Sequence, residues 1–237
     1  MTIEIRLKDG FSAYKIAKEL GRPINTILNE IRRGTTTQIK QGKAVQMYLA
    51  DTGLAVYNQN RKSIAERPAD INTREEFGHW EIDTVIGQKS NKDCVLLTIV
   101  ERQTRNAFIH KIESKTADAV TRALNVIRGI YGDKFSEVFK SITGDNGSEF
   151  ADLSTLESDT DTKVYFTHPY SSFEKGTNER HNGLICRFIP KGKRISDYGS
   201  LDIAFIEEWM NTFPRRILNY KTPEELFEMH LDQIYAA

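Results

Sequence analysis

The segment GHWEIDTVIG, residues 78–87, decides the fold, because its apolar residues predict a buried β-strand and an acidic residue, Asp83, lies inside it. A buried carboxylate is costly without compensation, so Asp83 predicts a metal ion or another partner. The segments 93–101 and 106–112 have the apolar bias of further buried strands. These three segments predict a three-stranded meander at the start of a sheet.

Two later segments carry acidic residues at the ends of predicted elements. Asp145 follows the apolar end of a strand in ITGDNGSEF, residues 142–150, and Glu179 opens a helical pattern in GTNERHNGLICRFIPKG, residues 176–192. Hard divalent cations such as Mg²⁺ prefer oxygen ligands, and two or three converging carboxylates can hold them beside a phosphate. Three acids on a strand, at a strand end and on a helix therefore indicate a metal site for phosphodiester chemistry.

The motifs HWEIDTVIG, TGDNGSEF and GTNERHNGLICRFIPKG resemble the catalytic segments of bacterial insertion-sequence transposases of the insertion-sequence-thirty family, which have a DDE integrase core. The 33 residues between Asp145 and Glu179 agree with the spacing in that family. The resemblance implies that Asp83, Asp145 and Glu179 are the catalytic, metal-binding triad. It also implies Mg²⁺ or Mn²⁺ as the cofactor and double-stranded DNA as the substrate.

The remaining pattern predicts an α/β fold. A helix at 116–131 follows the meander, and the later elements are strands at 138–143 and 163–167, the Glu179 helix, and helices at 201–213 and 223–234. This order resembles the ribonuclease-H-like fold, a mixed five-stranded sheet with flanking helices. If the fourth strand returns beside the first, Asp83 and Asp145 become neighbours.

A helix-turn-helix is predicted near the N-terminus, between Phe11 and Gly34. Two short amphipathic helices meet at Gly21, which permits the sharp turn that this motif requires. A plain helical hairpin fits the same pattern, and the resemblance to the N-terminal DNA-binding motif of the family favours DNA contact. The second helix then offers polar groups to a DNA groove: Asn25, Thr26, Asn29, Arg32 and Arg33.

Charge is distributed unevenly, although the 237-residue chain has a net charge of zero. Residues 1–71 contain 12 Lys/Arg and 7 Asp/Glu, whereas residues 72–237 contain 21 and 26. The basic N-terminal part is therefore the expected DNA anchor. The sequence shows neither a membrane-spanning run nor a signal-peptide pattern, which predicts a cytoplasmic protein without a membrane partner.

Basic residues around the Glu179 helix are a second candidate DNA contact. They lie on the helix, just before it, and in the glycine-interrupted loop PKGKR that follows: Lys175, Arg180, Arg187, Lys191, Lys193 and Arg194. A solvated turn is the alternative for the loop. Two further acids, Glu81 and Glu149, lie close to the predicted triad in sequence, and we expect surface roles for both.

The domain organisation predicted from these features has three parts. Residues 1–50 form an all-helical helix-turn-helix region clipped at its start, residues 51–76 a linker, and residues 77–237 the catalytic core. The stretch between motif and core is shorter than in the family. The intact triad predicts a transposase that cuts and joins DNA as a homo-oligomer. The shortened stretch favours the alternative, an internally shortened, non-catalytic DNA-binding remnant.

Overall fold

The computed structural model describes residues 2–22, 24–40, 43–53, 61–88, 93–168 and 171–236. These residues form two compact units, Met1–Lys62 and Ser63–Ala237. Residues 54–60, within the predicted linker, lie outside the described part of the chain.

The first unit begins with three helices. They are α1 (Thr2–Lys8), α2 (Ala13–Leu20) and α3 (Ile24–Gly34). Ser12 caps α2 by accepting a hydrogen bond from the Lys15 backbone N–H, 3.3 Å away. Gly21 ends α2 with φ of 61°, a left-handed conformation that glycine adopts without strain. The predicted turn between two helices is therefore present.

A β-hairpin follows these helices, whereas we predicted an all-helical unit for residues 1–50. Strand β1 (Thr35–Lys40) pairs with the antiparallel strand β2 (Lys43–Tyr48). The physical reason lies in the run of three threonines from Thr35, because β-branched side chains favour extended backbone over helix.

The second unit contains a six-stranded sheet and its flanking helices. Its elements are β3 (Lys62–Ser63), α4 (Asp70–Thr73), β4 (His79–Val85), β5 (Val95–Glu101), β6 (Ala107–Ile112), α5 (Ala117–Tyr131), α6 (Phe135–Val138), β7 (Ser141–Gly144), α7 (Leu156–Asp159), β8 (Lys163–Phe166), α8 (Gly176–Ile185), α9 (Ser200–Thr212) and α10 (Pro223–Ala236). The predicted order of three strands, helix, strand, strand and helix is present.

The sheet is mixed, and its strands lie in the order β3-β8-β7-β4-β5-β6. Strands β4, β5 and β6 form an antiparallel meander, while β7 runs parallel to both β4 and β8. The five predicted strands are all present. The sixth, β3, has only two residues, too few to carry a sequence pattern.

Alternation along β4 separates the two faces of the sheet. Trp80 and Ile82 are fully buried on the face that packs against α5. Glu81 and Asp83 point to the opposite face, where α8 lies and donates hydrogen bonds to both carboxylates. The strand therefore supports the apolar core with one face and carries acidic side chains on the other.

Candidate active site

Sheet register brings the first two predicted site residues together. Glu81 in β4 lies opposite Thr143 in the parallel strand β7. Two residues further along each strand, the same register leads to Asp83 and to Asp145, which comes directly after the end of β7. The predicted adjacency of these carboxylates follows from the return of β7 beside β4.

Helix α8 is fixed to the same face by two asparagines. The Asn178 side-chain amide donates to the Glu81 carbonyl over 3.0 Å, and the Asn182 amide donates to Asp83 Oδ2 over 2.9 Å. Successive residues of a helix are 100° apart, so Glu179 lies to one side of this contact line. It is exposed and lines the same cleft as the two aspartates.

The loop after β7 is held by its own polar groups. Asp145 Oδ1 accepts a hydrogen bond from the Gly147 backbone N–H over 2.8 Å. The Asn146 side-chain amide donates to the Thr167 carbonyl over 2.5 Å. These contacts orient the Asp145 carboxylate and leave its Oδ2 directed toward Lys175.

The cleft has a volume of about 590 Å³ and contains four carboxylates, those of Asp83, Asp145, Glu149 and Glu179. Among the residues that the structure describes, no three His, Cys, Asp or Glu side chains are already arranged as a metal site. The triad therefore shares one cleft without forming a complete ligand set by itself.

Lys175 occupies the position between the two aspartates. Its Nζ lies 3.3 Å from Asp83 Oδ1 and 3.3 Å from Asp145 Oδ2, and it donates to the Ile82 carbonyl over 3.2 Å. We predicted a DNA contact for Lys175, but the residue is only 4% exposed. The correction has a physical reason, because an ammonium group between two carboxylates compensates their repulsion.

Both acids for which we predicted surface roles are buried. Glu81 is fully inaccessible; its Oε1 lies 3.1 Å from Arg102 Nε, and its Oε2 accepts the Asn178 backbone N–H over 2.9 Å. Glu149, 2% exposed, accepts from Thr84 Oγ1 over 3.1 Å and lies 3.0 Å from Lys115 Nζ. These partners come from distant segments, which explains why local sequence did not reveal the burial.

The donor set of the cleft fits a divalent cation. Asp83 Oδ1 and Asp145 Oδ2 already share one cationic group, the Lys175 ammonium, and carboxylate oxygens are the ligands that Mg²⁺ and Mn²⁺ prefer. Glu179 supplies a third carboxylate on the same cleft. The ammonium thus marks a position at which a positive charge is stabilised.

Comparison with known families agrees with this geometry. Residues 73–172 match the family described as "Integrase core domain", and residues 1–34 match the family described as "Helix-turn-helix domain". The chain carries an integrase core. The first family contains Asp83 and Asp145, and the second ends where α3 ends.

Similar proteins include several insertion-sequence transposases. The chain is 44% identical over 168 residues to "Probable transposase for insertion-like sequence element IS1161" from Streptococcus salivarius, covering 71% of this chain and 46% of the relative. It is 40% identical over 174 residues to "Transposase for insertion sequence element IS4351" from Bacteroides fragilis, covering 73% and 51%. It is 36% identical over 173 residues to "Transposase InsI for insertion sequence element IS30A" from Escherichia coli (strain K12), covering 71% of this chain and 43% of the relative. The chain spans about half the length of these relatives, and the predicted family resemblance is confirmed.

A solved structure confirms the fold class. "Crystal structure of catalytic core domain of BIV integrase in crystal form I" superimposes with a TM-score of 0.50 at 15% identity, over 68% of this chain and 99% of that chain. The integrase core is thus ribonuclease-H-like, with the mixed sheet and flanking helices predicted from the sequence. None of the helices among the described residues has the length and apolar character needed to cross a membrane.

The basic loop after α8 is anchored beside strand β4 of the integrase core. The Gly192 backbone N–H donates to the Gly87 carbonyl over 3.1 Å. A side chain at Gly87 would meet the Lys193 carbonyl oxygen at 2.1 Å, so this approach requires glycine. The predicted DNA contacts on and after α8 are all exposed: Arg180, Arg187, Lys191, Lys193 and Arg194.

The predicted recognition residues all lie on α3. Asn25 and Arg32 are exposed, and Thr26 and Asn29 are half-buried. Arg33 pairs with Glu30, the Nη2 to Oε2 distance being 2.6 Å. Arg32 is therefore more accessible to a DNA phosphate than Arg33.

Proposed function

We propose that this protein is a transposase that cuts DNA at insertion-sequence ends and joins the cut strands to target DNA. The observation that carries the proposal is the pair of aspartates, Asp83 and Asp145, whose carboxylates face one cationic position in a cleft that Glu179 also lines. The transposase relatives and the integrase core support the same chemistry. The non-catalytic alternative is not better supported.

In this proposal Asp83, Asp145 and Glu179 hold Mg²⁺ or Mn²⁺. Divalent ions bound there supply an activated water and neutralise the charge that develops on the phosphate during in-line displacement. The protein's part is orientation. Asn182 fixes Asp83 through Oδ2, and the Gly147 N–H fixes Asp145 through Oδ1, while Asp83 Oδ1 and Asp145 Oδ2 both lie 3.3 Å from the Lys175 ammonium.

DNA recognition is divided between the two units in this proposal. The exposed side of α3 contacts the terminal repeats, and the basic residues around α8 hold the strand near the cleft. Two ends must be processed together, so the active form is a homo-oligomer. The substrate is chromosomal DNA in the cytoplasm.

The test is Mg²⁺-dependent nicking of duplex DNA that carries the terminal repeats of the source element. We expect Asp145→Asn to lower the nicking rate on the order of a thousandfold or more, because triad members act as a unit. Asp232→Asn, a matched change at an exposed position on α10, should nick at the wild-type rate.

Equal nicking by Asp145→Asn and Asp232→Asn would contradict the assignment. No nicking by the wild-type chain, with a full-length relative active in parallel and all variants folded, would favour the non-catalytic alternative. Removal of the metal with a chelator should abolish nicking by the wild type.

A further inference from the structure

A second cavity in the Ser63–Ala237 unit, of about 730 Å³, lies along α8. Five arginines from separate segments line it: Arg74, Arg105, Arg180, Arg215 and Arg216. Its other lining residues are uncharged or histidine, so the cavity wall carries no carboxylate. Such a concentration of guanidinium groups in a cavity indicates a site for an anion.

The positive charge in this cavity is not paired by a carboxylate of the cavity wall, although the buried Glu81 and Glu101 favour the charged form of Arg105 from a greater distance. Within the described part of the chain, none of the five guanidinium groups has a carboxylate within 4.0 Å. The surrounding sequence makes this unexpected, because residues 72–237 contain 26 Asp/Glu against 21 Lys/Arg. Carboxylates are abundant in this unit and are nevertheless excluded from the cavity.

Repulsion between the arginines is visible in the two that are most buried. Arg105 is only 9% exposed, and burial together with the charge of Arg74 lowers its pKa to about 10. Burial and the charge of Arg180 lower the pKa of Arg215. Each buried guanidinium therefore faces a second positive charge, and a bound anion would relieve both.

The buried guanidinium groups are held in place by neutral partners. Arg105 Nη1 donates to Thr177 Oγ1 over 2.8 Å, and Arg215 Nη2 donates to the Met210 carbonyl over 2.8 Å. His181 Nδ1 lies 2.7 Å from the Thr177 carbonyl oxygen, and its Nε2 lies 2.9 Å from Arg215 Nη1 and 3.1 Å from the Arg105 carbonyl oxygen. These bonds orient the arginines without neutralising them.

Two of these arginines also adopt a backbone conformation that disfavours their side chains. Arg74 has φ of 62° and Arg105 has φ of 67°, in the left-handed region where glycine is the usual residue. Arginine is strained at both positions, so its presence there is consistent with a function of the charged side chain.

Helix α8 separates this cavity from the acidic cleft. At 100° per residue, Thr177, Arg180 and His181 lie on one side of the helix and line the arginine cavity, and Glu179 lies on the other side and lines the acidic cleft. The helix is about 10 Å wide, and the phosphates of one DNA strand advance by about 3.4 Å per nucleotide along the axis of the duplex. One strand of a duplex whose axis crosses α8 could therefore engage both sites about three nucleotides apart.

We propose that this arginine cavity binds backbone phosphates of the DNA strand, about three nucleotides from the phosphate at the acidic cleft. The inference rests on the proposed function for its choice of DNA as the anion. The contacts are to phosphate and carry no base specificity, so they position the strand and contribute equally for every sequence.

The experiment measures DNA binding by fluorescence anisotropy as a function of salt, in an Asp145→Asn background that does not cut. The variant is Arg74→Gln with Arg216→Gln, since both arginines are exposed. We expect the slope of log affinity against log salt to fall by about one per arginine that contacts a phosphate, for specific and unrelated DNA alike.

A matched control is Arg122→Gln with Arg128→Gln. On α5, on the other face of the sheet, Arg122 is exposed and Arg128 is half-buried, and the two pair with Glu113 and Asp159. The control removes the same amount of charge, but on the other face of the sheet from the cavity. Its salt slope should therefore equal that of the parent. Circular dichroism and thermal unfolding must show that both double variants are folded.

A second measurement locates the phosphate. A single neutral methylphosphonate is moved along the strand, one position at a time. At the position that the cavity contacts, the substitution should weaken binding by the parent and leave binding by Arg74→Gln/Arg216→Gln unchanged. Equal loss for both proteins at every position would overturn the proposal.

Other outcomes assign the cavity to a different ligand and also overturn the proposal. If inorganic phosphate stabilises only the parent while DNA slopes are equal, the cavity binds a small anion. If the variant loses self-association with unchanged DNA binding, it binds an acidic protein segment. Wild-type nicking with equal slopes would refute this inference alone, whereas reduced slopes without wild-type nicking would refute only the proposed catalysis.

Discussion

The two sides of helix α8 carry opposite charge. The cleft on one side contains four carboxylates, of which Asp83 and Asp145 share the buried Lys175 ammonium. The cavity on the other side contains five arginines, and within the described residues these have no carboxylate partner. One short helix therefore divides an acidic site from a basic site.

The difference indicates that the charged side chains of this core are placed to bind ligands rather than to stabilise the fold. Like charges in a cleft repel one another, and folding alone would favour mixing the two kinds. An acidic cleft suits a divalent cation, and a basic cavity suits a phosphate. In the function proposed above, the cleft holds the metal ion and the cavity holds a phosphate of the same DNA strand.

The largest expected effect comes from Glu81, the carboxylate beneath α8 that holds the helix between the two sites. Glu81→Ala leaves the buried Arg102 without its carboxylate partner and the Asn178 N–H without its acceptor. Removing one partner of a buried pair costs about 3–5 kcal/mol, so we expect a loss of this size in the free energy of unfolding. Urea denaturation measures it.

The control for this variant is Glu137→Ala. Glu137 is exposed and pairs with Lys134 over 3.1 Å. An exposed pair contributes about 1 kcal/mol or less. Equal losses for the two variants would show that the Glu81 contact does not fix α8, and the separation of the two sites would need another cause.

A smaller effect is expected from Lys175→Met on the acidic side. Without the ammonium, Asp83 and Asp145 repel each other, and we expect a loss of about 1–3 kcal/mol in chelator. Mg²⁺ should then stabilise the variant more than the wild type, because a metal no longer competes with the lysine. Thermal unfolding with chelator and with Mg²⁺ measures both effects.

The exposed Lys163 provides the matched change, Lys163→Met. This variant should respond to Mg²⁺ as the wild type does. If Lys175→Met gains no more from Mg²⁺ than Lys163→Met, the cation between the aspartates does not stand in for a metal.

Most of the fold could be predicted because its elements carry strong local patterns. Strand β5 is buried along its whole length, and α5 presents a continuous apolar face from Ala119 to Ile127, so both appear in the sequence within about two residues of their true ends. The apolar residues Val138 and Phe139 suggested an early start for β7, but Phe135–Val138 is helical. Their burial is real and their conformation is set by the neighbouring elements.

The residues of the candidate site could be predicted from the sequence only where they lie in a recognisable motif. Asp83, Asp145 and Glu179 stand in recognisable segments, and their catalytic roles stay predictions. The burial of Lys175, Glu81 and its partner Arg102 depends on contacts across the sheet.

The arginine cavity had no comparable local signal. Arg105 and Arg215, for example, come from separate segments and meet only through Thr177 and His181 on α8. Periodicity and spacing within one element cannot predict a contact between side chains from separate segments.

The smallest expected effect is on the basic side, and its sign is opposite to that for Lys175. Arg180→Gln removes a charge that repels Arg215, so we expect the protein without DNA to become more stable, by about 0.3–0.5 kcal/mol at low salt. At about 1 M salt the Debye length is only about 3 Å. The repulsion between the two arginines is then screened, and the gain in stability should disappear.

The comparison variant for this test is Arg122→Gln, an exposed arginine whose removal breaks its pair with Glu113. This change should lower stability slightly at low salt. The two substitutions should change the free energy of unfolding in opposite directions, and both changes should approach zero as salt rises. This result would distinguish an unbalanced basic cavity from an ordinary surface ion pair. Destabilisation by Arg180→Gln at low salt would mean that its charge is balanced in the folded protein, and the cavity would then have less need of an anion.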